Sequence, residues 1–327
     1  MRLTRRSFLF LLLTIAPCAK LFAVNVKGIS YMSLRELARA CGMRMTALKD
    51  KKFQSVYSKT SRMSFEVNSR NFTLNNVSVW LGHPVVKRGE MLYVAKNDYL
   101  KTILPVLFPQ KLDNIPKVFH IYLDAGHGGK DVGAQNRALK MTEKAVALDV
   151  TLRLGRILRK NGYRVSFSRT SDKFVELSDR AEDAANKRAD LFLSIHCNAA
   201  SPSVSGVETF AMTPRSMPST SSGALSRSDR TQHEGNATDG WNQLFAYYVQ
   251  RGLAAATRSD DRGVKRARFA VLKKTPMPSA LVEIGFLSNN AEARKLSSAV
   301  YRQRIADSLA NSIMRYHSTI RRLQKMK

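Results

Sequence analysis

The run Ala189-Asp-Leu-Phe-Leu-Ser-Ile-His-Cys-Asn198 has an unbroken apolar core, which is how a strand buried on both faces of a parallel sheet reads. Such a strand needs helices on either side, and this commits the stretch to an α/β architecture: a twisted, mostly parallel sheet flanked by helices. A second apolar run, Ile121 to Ala125, breaks into the glycine-rich turn Gly126-His-Gly-Gly129, a strand followed by a loop. A third, Ala280 to Asn289, is β-rich and carries one carboxylate, Glu283, near its end. After the glycine turn, Thr142 stands as an N-cap ahead of Glu143, and Leu148, Leu152, Leu154, Ile157 and Leu158 supply the apolar face of a helix that ends near Gly162.

In open α/β sheets, ligands gather in the crevice outside the carboxyl ends of the strands, so residues far apart in sequence converge there. His127, His196 and Glu283 sit at or near such ends, and Glu143 lies in a first helical turn. Two imidazoles and one carboxylate form a catalytic zinc set that leaves a fourth position for water, and a nearby carboxylate can take the water proton. Each residue alone has a plainer reading. The histidines could be hydrogen-bonded structural groups, Glu143 a carboxylate complementing the helix dipole, and Glu283 the partner of an arginine. The four contexts together carry the zinc reading: His127, Glu143 and His196 as ligands of one Zn2+, and Glu283 as catalytic base. His83, His120 and His317 are read as structural.

These motifs, in this order, resemble the zinc-dependent N-acetylmuramoyl-L-alanine amidases that trim bacterial peptidoglycan, the cell-separation amidases among them. The resemblance covers roughly residues 117 to 320. It implies that His127, Glu143 and His196 bind zinc and that Glu283 assists hydrolysis of the amide between N-acetylmuramic acid and the L-alanine of the stem peptide. Ala125 stands where relatives often have proline and Cys197 where they often have alanine; neither is a ligand. In some members an insertion after the second histidine blocks the metal and is released by a partner. Here Thr213 to Thr238, rich in Ser, Thr and Arg, reads as a loop over the cleft rather than a packed lid helix, with an activator protein as the partner that would relieve it. Glu234 is the candidate inhibitory ligand in that segment.

Residues 1–23 have a basic start, an apolar run from Phe8 to Ala16 and a short polar stretch, the pattern of a cleavable signal peptide. Thr4-Arg-Arg-Ser-Phe-Leu9 is close to a twin-arginine export signal, so a periplasmic location is expected. The apolar run is shorter than the ~20 residues that span a bilayer, and no lasting transmembrane anchor is expected. Cys18 raises lipidation, against which Pro17 stands in place of a small residue. Cys41 and Cys197 are expected to be free, inert thiols.

The formal charge of +29, from 54 Lys and Arg against 25 Asp and Glu, makes polyanions natural partners. The basic residues are scattered rather than gathered on a recognition helix, and no zinc-knuckle or aromatic stacking motif appears, so nucleic acid is not expected as a partner. Peptidoglycan carboxylates and lipid phosphates remain.

Residues 24–112 have their own pattern. Ser33-Leu-Arg-Glu36 is a capping box opening a helix through Ala40, followed by short alternating runs and a helix through Leu107. A small α+β domain is expected, a wall-binding or stalk-like module with a weak resemblance to the N-terminal module of copper amine oxidases. Residues 113–117 are the linker and 118–327 the catalytic domain. Two alternatives stay open: a zinc peptidase cutting within the stem peptide, and a non-catalytic wall-binding protein. A penicillin-binding type of serine acyl-transferase is disfavoured, because the chain contains no Ser-x-x-Lys.

Overall fold

The computed structural model describes residues 24–326; the expected signal peptide and Cys18 lie outside the described residues. Ser33 caps the helix Leu34–Ala40 through a reciprocal box with Glu36, as its spacing predicts. Five antiparallel strands then follow in meander order, Arg44–Met45, Phe53–Tyr57, Arg62–Glu66, Asn71–Leu74 and β1 (Val77–Trp80). Val56, Met63, Phe65, Phe72, Val77 and Val79 point to one buried face, the period-two alternation that a half-buried sheet requires.

The catalytic part supplies β2 (His120–Ala125), β3 (Arg164–Phe167), β4 (Leu191–Asn198), β5 (Val207–Met212), β6 (Asp261–Ala267) and β7 (Ser279–Phe286). Their spatial order is β3-β2-β4-β7-β5-β6, and β6 then meets β1, so eleven strands form one sheet across both parts of the chain. The join is the single pair Val264–Val79. β3, β2, β4 and β7 run parallel. β5 reverses against β7, pairing Glu208 with Glu283 and Phe210 with Leu281.

Two layers of helix cover the parallel strands. On one face lie α1 (Glu143–Lys160), α3 (Asp239–Thr257) and α4 (Ala299–Gln324), packed over Ile121, Leu123, Leu193 and Val282. On the other lies α2 (Leu177–Asn186), over the smaller core of Tyr122, Phe192 and Leu281. Strands sandwiched in this way explain the unbroken apolar runs, since neither face of β4 meets water.

The two parts of the chain grip each other through polar side chains as well as the sheet. The Arg70 guanidinium donates to the carbonyls of Ser219, Thr220 and Ser222. Buried Arg266 donates to Met212 and Lys101 carbonyls. The Trp80 indole is half-buried and donates to the Arg262 carbonyl.

Candidate metal centre and active site

β2, β4 and β7 end together, and the glycine turn after β2 brings His127 back over those ends. His127 has φ +58°, a left-handed conformation that costs a non-glycine residue free energy and is held only where surroundings over-determine it. Those surroundings are two buried arginines. Arg169 donates to the carbonyls of Ala125, Gly126 and Lys144. Arg180 donates to Asp124, to the Ala125 carbonyl and to the His127 carbonyl.

Glu143 opens α1, as expected. Thr142 precedes it in extended conformation, without the side-chain hydrogen bond of a full cap. One Glu143 oxygen, Oε1, lies 3.1 Å from His127 Nε2 and 2.8 Å from His196 Nδ1, and accepts from the Cys197 amide. The other, Oε2, accepts from the Ala134 amide at 2.8 Å. One donor atom from each of His127, Glu143 and His196 falls within 4.8 Å of the others. Burial would raise the Glu143 carboxyl, but the hydrogen bonds and charge of the two imidazoles hold it far below the usual range. Burial likewise pulls His127 down, and its bonds to Glu143 and Asp131 more than offset this, so its pKa is raised.

Two glycines make the approach of these groups sterically feasible. A Cβ on Gly126 would stand 2.5 to 2.7 Å from the His196 ring, and one on Gly133 would stand 2.5 Å from Glu143 Oε2 and 2.7 Å from His127 Cδ2. The donor set and this cleared space suit a zinc ion: two imidazole nitrogens and a carboxylate oxygen are the ligands of known catalytic sites. Asp131 completes the outer shell, its Oδ2 lying 2.8 Å from His127 Nδ1. Without a metal, both ring nitrogens of His127 face carboxylate oxygens, Nδ1 toward Asp131 and Nε2 toward Glu143; a bound metal would take the place of the Nε2 proton, with Nδ1 still donating to Asp131.

Glu283 stands directly opposite His196 in the β4–β7 pair. Its Oε2 is buried without a hydrogen-bond partner. Burial first, then the charges of Glu143 and Glu208, push its pKa well up, while Lys265 works in the other direction. Glu208, paired with Glu283 across β5–β7, is itself engaged by Asn198, Arg262 and Lys265. The structure therefore brings all four sequence candidates to one end of the sheet.

The segment Thr213–Thr238 is not there, which corrects its reading as a loop over the cleft. Because β5 runs antiparallel to β7, it starts at the site end and leaves from the opposite end, beside Ser279. The segment is fastened at that far end. Arg268 donates to the carbonyls of Pro214, Met217 and Asp229, and Asn236 to that of Thr213. His233 and Glu234 open a short 3-10 turn whose Gly235 carbonyl accepts from Asn242, the side chain that also accepts from the Ser279 amide. Glu234 is therefore no inhibitory ligand, and an activator acting through this loop loses its basis.

Sequence reasoning passed over Asp131, Arg169, Arg180 and Glu208. Asp131 stands four residues after His127, just beyond the glycine-rich turn, so its spacing was visible. The arginines were two among 54 basic residues, and only the fold distinguishes them. Cys41 and Cys197 are buried free thiols, with burial pushing Cys41 up to about 11 and Cys197 well above its ordinary value, as inert thiols should be.

Residues 121–315 match the family model described as N-acetylmuramoyl-L-alanine amidase. The chain belongs to that family. The amidase AmiA of Salmonella typhimurium is 32% identical over 245 residues, covering 68% of this chain and 84% of that protein. The amidase LytC of Bacillus subtilis is 37% identical over 198 residues, 60% of this chain and 35% of LytC. The solved N-acetylmuramoyl-L-alanine amidase from Clostridium difficile 630 superposes with a TM-score of 0.53 at 28% identity, over 62% of this chain and 98% of that one. The chain is thus an N-acetylmuramoyl-L-alanine amidase, a hydrolase of the cell wall whose substrate is peptidoglycan. The family match begins after the first 120 residues.

Proposed function

We propose that the chain is an exported, zinc-dependent amidase in which His127, Glu143 and His196 hold one Zn2+ and Glu283 is the general base. The observation that carries this reading is the convergence of three donor atoms within 4.8 Å, beside a buried carboxyl with a free oxygen. When bound, zinc supplies Lewis acidity toward the scissile carbonyl and toward water. The side chains do the rest. Asp131 fixes the tautomer and orientation of His127, and the Arg169 and Arg180 hydrogen bonds keep the turn rigid. Glu283 takes the proton from the attacking water and returns it to the amine nitrogen of L-alanine as the bond to the lactyl carbonyl breaks. A carboxyl raised above its ordinary range lies closer to the operating pH, which suits a group that must both accept and return a proton.

Export rests on the signal-like pattern of residues 1–23 and agrees with the substrate; among the described residues no helix is long and apolar enough to cross a membrane. N-terminal sequencing of the mature protein tests it, with Val24 as the expected first residue. The boundary at 113–117 is supported by the family match, which begins at 121. In this reading residues 24–112 are a module braced against an amidase core.

The deciding experiment is mass analysis of defined muropeptides after digestion, with and without chelator. Release of intact stem peptide from the lactyl group, lost on chelation and restored by zinc, is expected. Cleavage inside the stem, or full turnover without metal, would overturn the proposal.

A further inference from the structure

The few basic residues at the site, Arg169, Arg180 and Lys265, account for little of the +29 charge, and the pairing of the rest differs between faces of the fold. On the α2 face the surface carboxylates Glu182 and Asp183 are matched by Lys274 and Lys187. The opposite face, built from α1, α3 and α4, exposes Arg156, Lys160, Arg251, Arg304, Arg315 and Arg322. Among the described residues none of these six pairs with a carboxylate. On α4 the spacing of Arg304, Arg315 and Arg322 follows the helical repeat and sets them along one outward stripe, opposite the buried Ile305, Leu309, Ile313 and Ile320, with Asp307 the one acidic side chain of α4 on that stripe. The groove between α3 and α4 is floored by small residues, Gly252, Ala256 and Ser308, so the arginines at its rim stand proud.

We propose that this α1–α3–α4 face docks the protein on a membrane surface of anionic phospholipid. The geometry favours a surface over a polymer strand. α4 has 26 residues and is about 39 Å long at ~1.5 Å per residue, and three neighbouring helices spread the cations over about 20 Å in the other direction. A single polyanionic strand follows a line and meets only some of them. A planar array of phosphates meets all of them, and each basic side chain near such a surface adds to binding in a salt-screened manner. Docking leaves the reaction accessible, because the site opens at the carboxyl ends of β2, β4 and β7 whereas the cations point outward from the helix layer that covers one face of the sheet, Arg156 and Lys160 about 20 Å along α1 from Glu143. The inference stands apart from the amidase chemistry and does not require it.

The test is flotation of the full-length chain with vesicles of phosphatidylcholine, with and without phosphatidylglycerol, at low and high salt. All variants share residues 1–23, so any contribution from that segment cancels. The triple variant Arg304→Glu, Arg315→Glu, Arg322→Glu is expected to lower partition onto anionic vesicles on the order of a hundredfold. A control with the same charge change on the N-terminal part, Lys49→Glu, Lys59→Glu, Arg88→Glu, is expected to bind nearly as the parent. Turnover of a small soluble muropeptide reports folding and is expected to be unchanged in both. Should the glutamate triple lose turnover, the triple with glutamine at the same three positions carries the test. Parent-like vesicle binding by the α4 triple, or an equal loss in the control, would overturn the docking face. Displacement from vesicles by linear polyphosphate at matched phosphate would assign the face to a polymer and overturn the lipid surface.

Discussion

Glu283 and His196 are direct partners across β4 and β7, so a proposed metal ligand and the proposed base occupy facing positions at one end of the sheet. Their proximity is enforced by backbone register rather than by a side-chain bond, and Glu283 consequently keeps an oxygen with no partner in a buried setting.

That arrangement sets function against stability. Glu283→Gln removes a carboxyl that burial, Glu143 and Glu208 all disfavour as an anion. Metal-free protein carrying it is expected to be more stable than the parent at pH values where the parent's carboxyl ionises on unfolding, because the amide has no charge for burial to oppose. Hydrolysis is expected to fall about 10²- to 10⁴-fold with zinc still bound at one per chain. Calorimetry of the apo protein, metal analysis and muropeptide turnover check the three arms, and near-full turnover would remove Glu283 from the role of base.

Gly126→Ala addresses the histidine from the other side. The added methyl would stand 2.5 to 2.7 Å from three atoms of the His196 ring, which must then move. Overpacking of this kind costs about 1 to 3 kcal/mol. Here the strain falls on a proposed ligand, so zinc affinity is expected to drop about tenfold or more in a chelator competition while circular dichroism stays as in the parent. Unchanged affinity would mean that the ring is not held where the metal needs it.

The strand ends were legible because their signals are local. A both-faces-buried strand reads as an apolar run, and His127, His196 and Glu283 stand at the ends of such runs; Glu143 follows a capping position. Direction was not legible. Nothing in Val207–Met212 reveals that it reverses against Ser279–Phe286, and that one reversal carries Thr213–Thr238 to the far end of the sheet. The joining of Val77–Trp80 to Asp261–Ala267 was hidden for the same reason, since pairing across 185 positions leaves no pattern in either segment. Arg180 was invisible because an arginine that grips carbonyls is spelled like one that faces solvent.

Asp131→Ala tests the outer shell. The carboxylate bonds His127 Nδ1 at 2.8 Å and accepts from the Gly133 amide, so its loss frees both the ring and the turn. Such partners are worth about 10- to 100-fold in metal affinity, and that loss is expected with the protein still folded. Asp131→Asn, which keeps an oxygen for the Nδ1 proton, is expected to recover part of it. Isothermal titration with zinc against a competing chelator distinguishes the two variants.

The seam between the two parts of the chain buries a titratable carboxyl. Asp98 is fully buried and accepts from the amides of Gly82 and His83, with Arg70 and Arg266 close by. Burial outweighs these favourable partners and raises its pKa from 3.8 to about 6. The folded state therefore binds a proton that the unfolded state has released between those values. Stability from this group is complete below about pH 4, declines as pH rises through 6, and is flat above. At ~1.4 kcal/mol per pKa unit the change is about 3 kcal/mol at most. Urea unfolding of the parent at pH 5 and pH 8 is expected to show lower stability at pH 8. Asp98→Asn, which cannot ionise, is expected to show a smaller difference between the two pH values. Equal slopes for parent and variant would mean that Asp98 is ionised in both states, held by Arg70 and Arg266 more firmly than burial opposes.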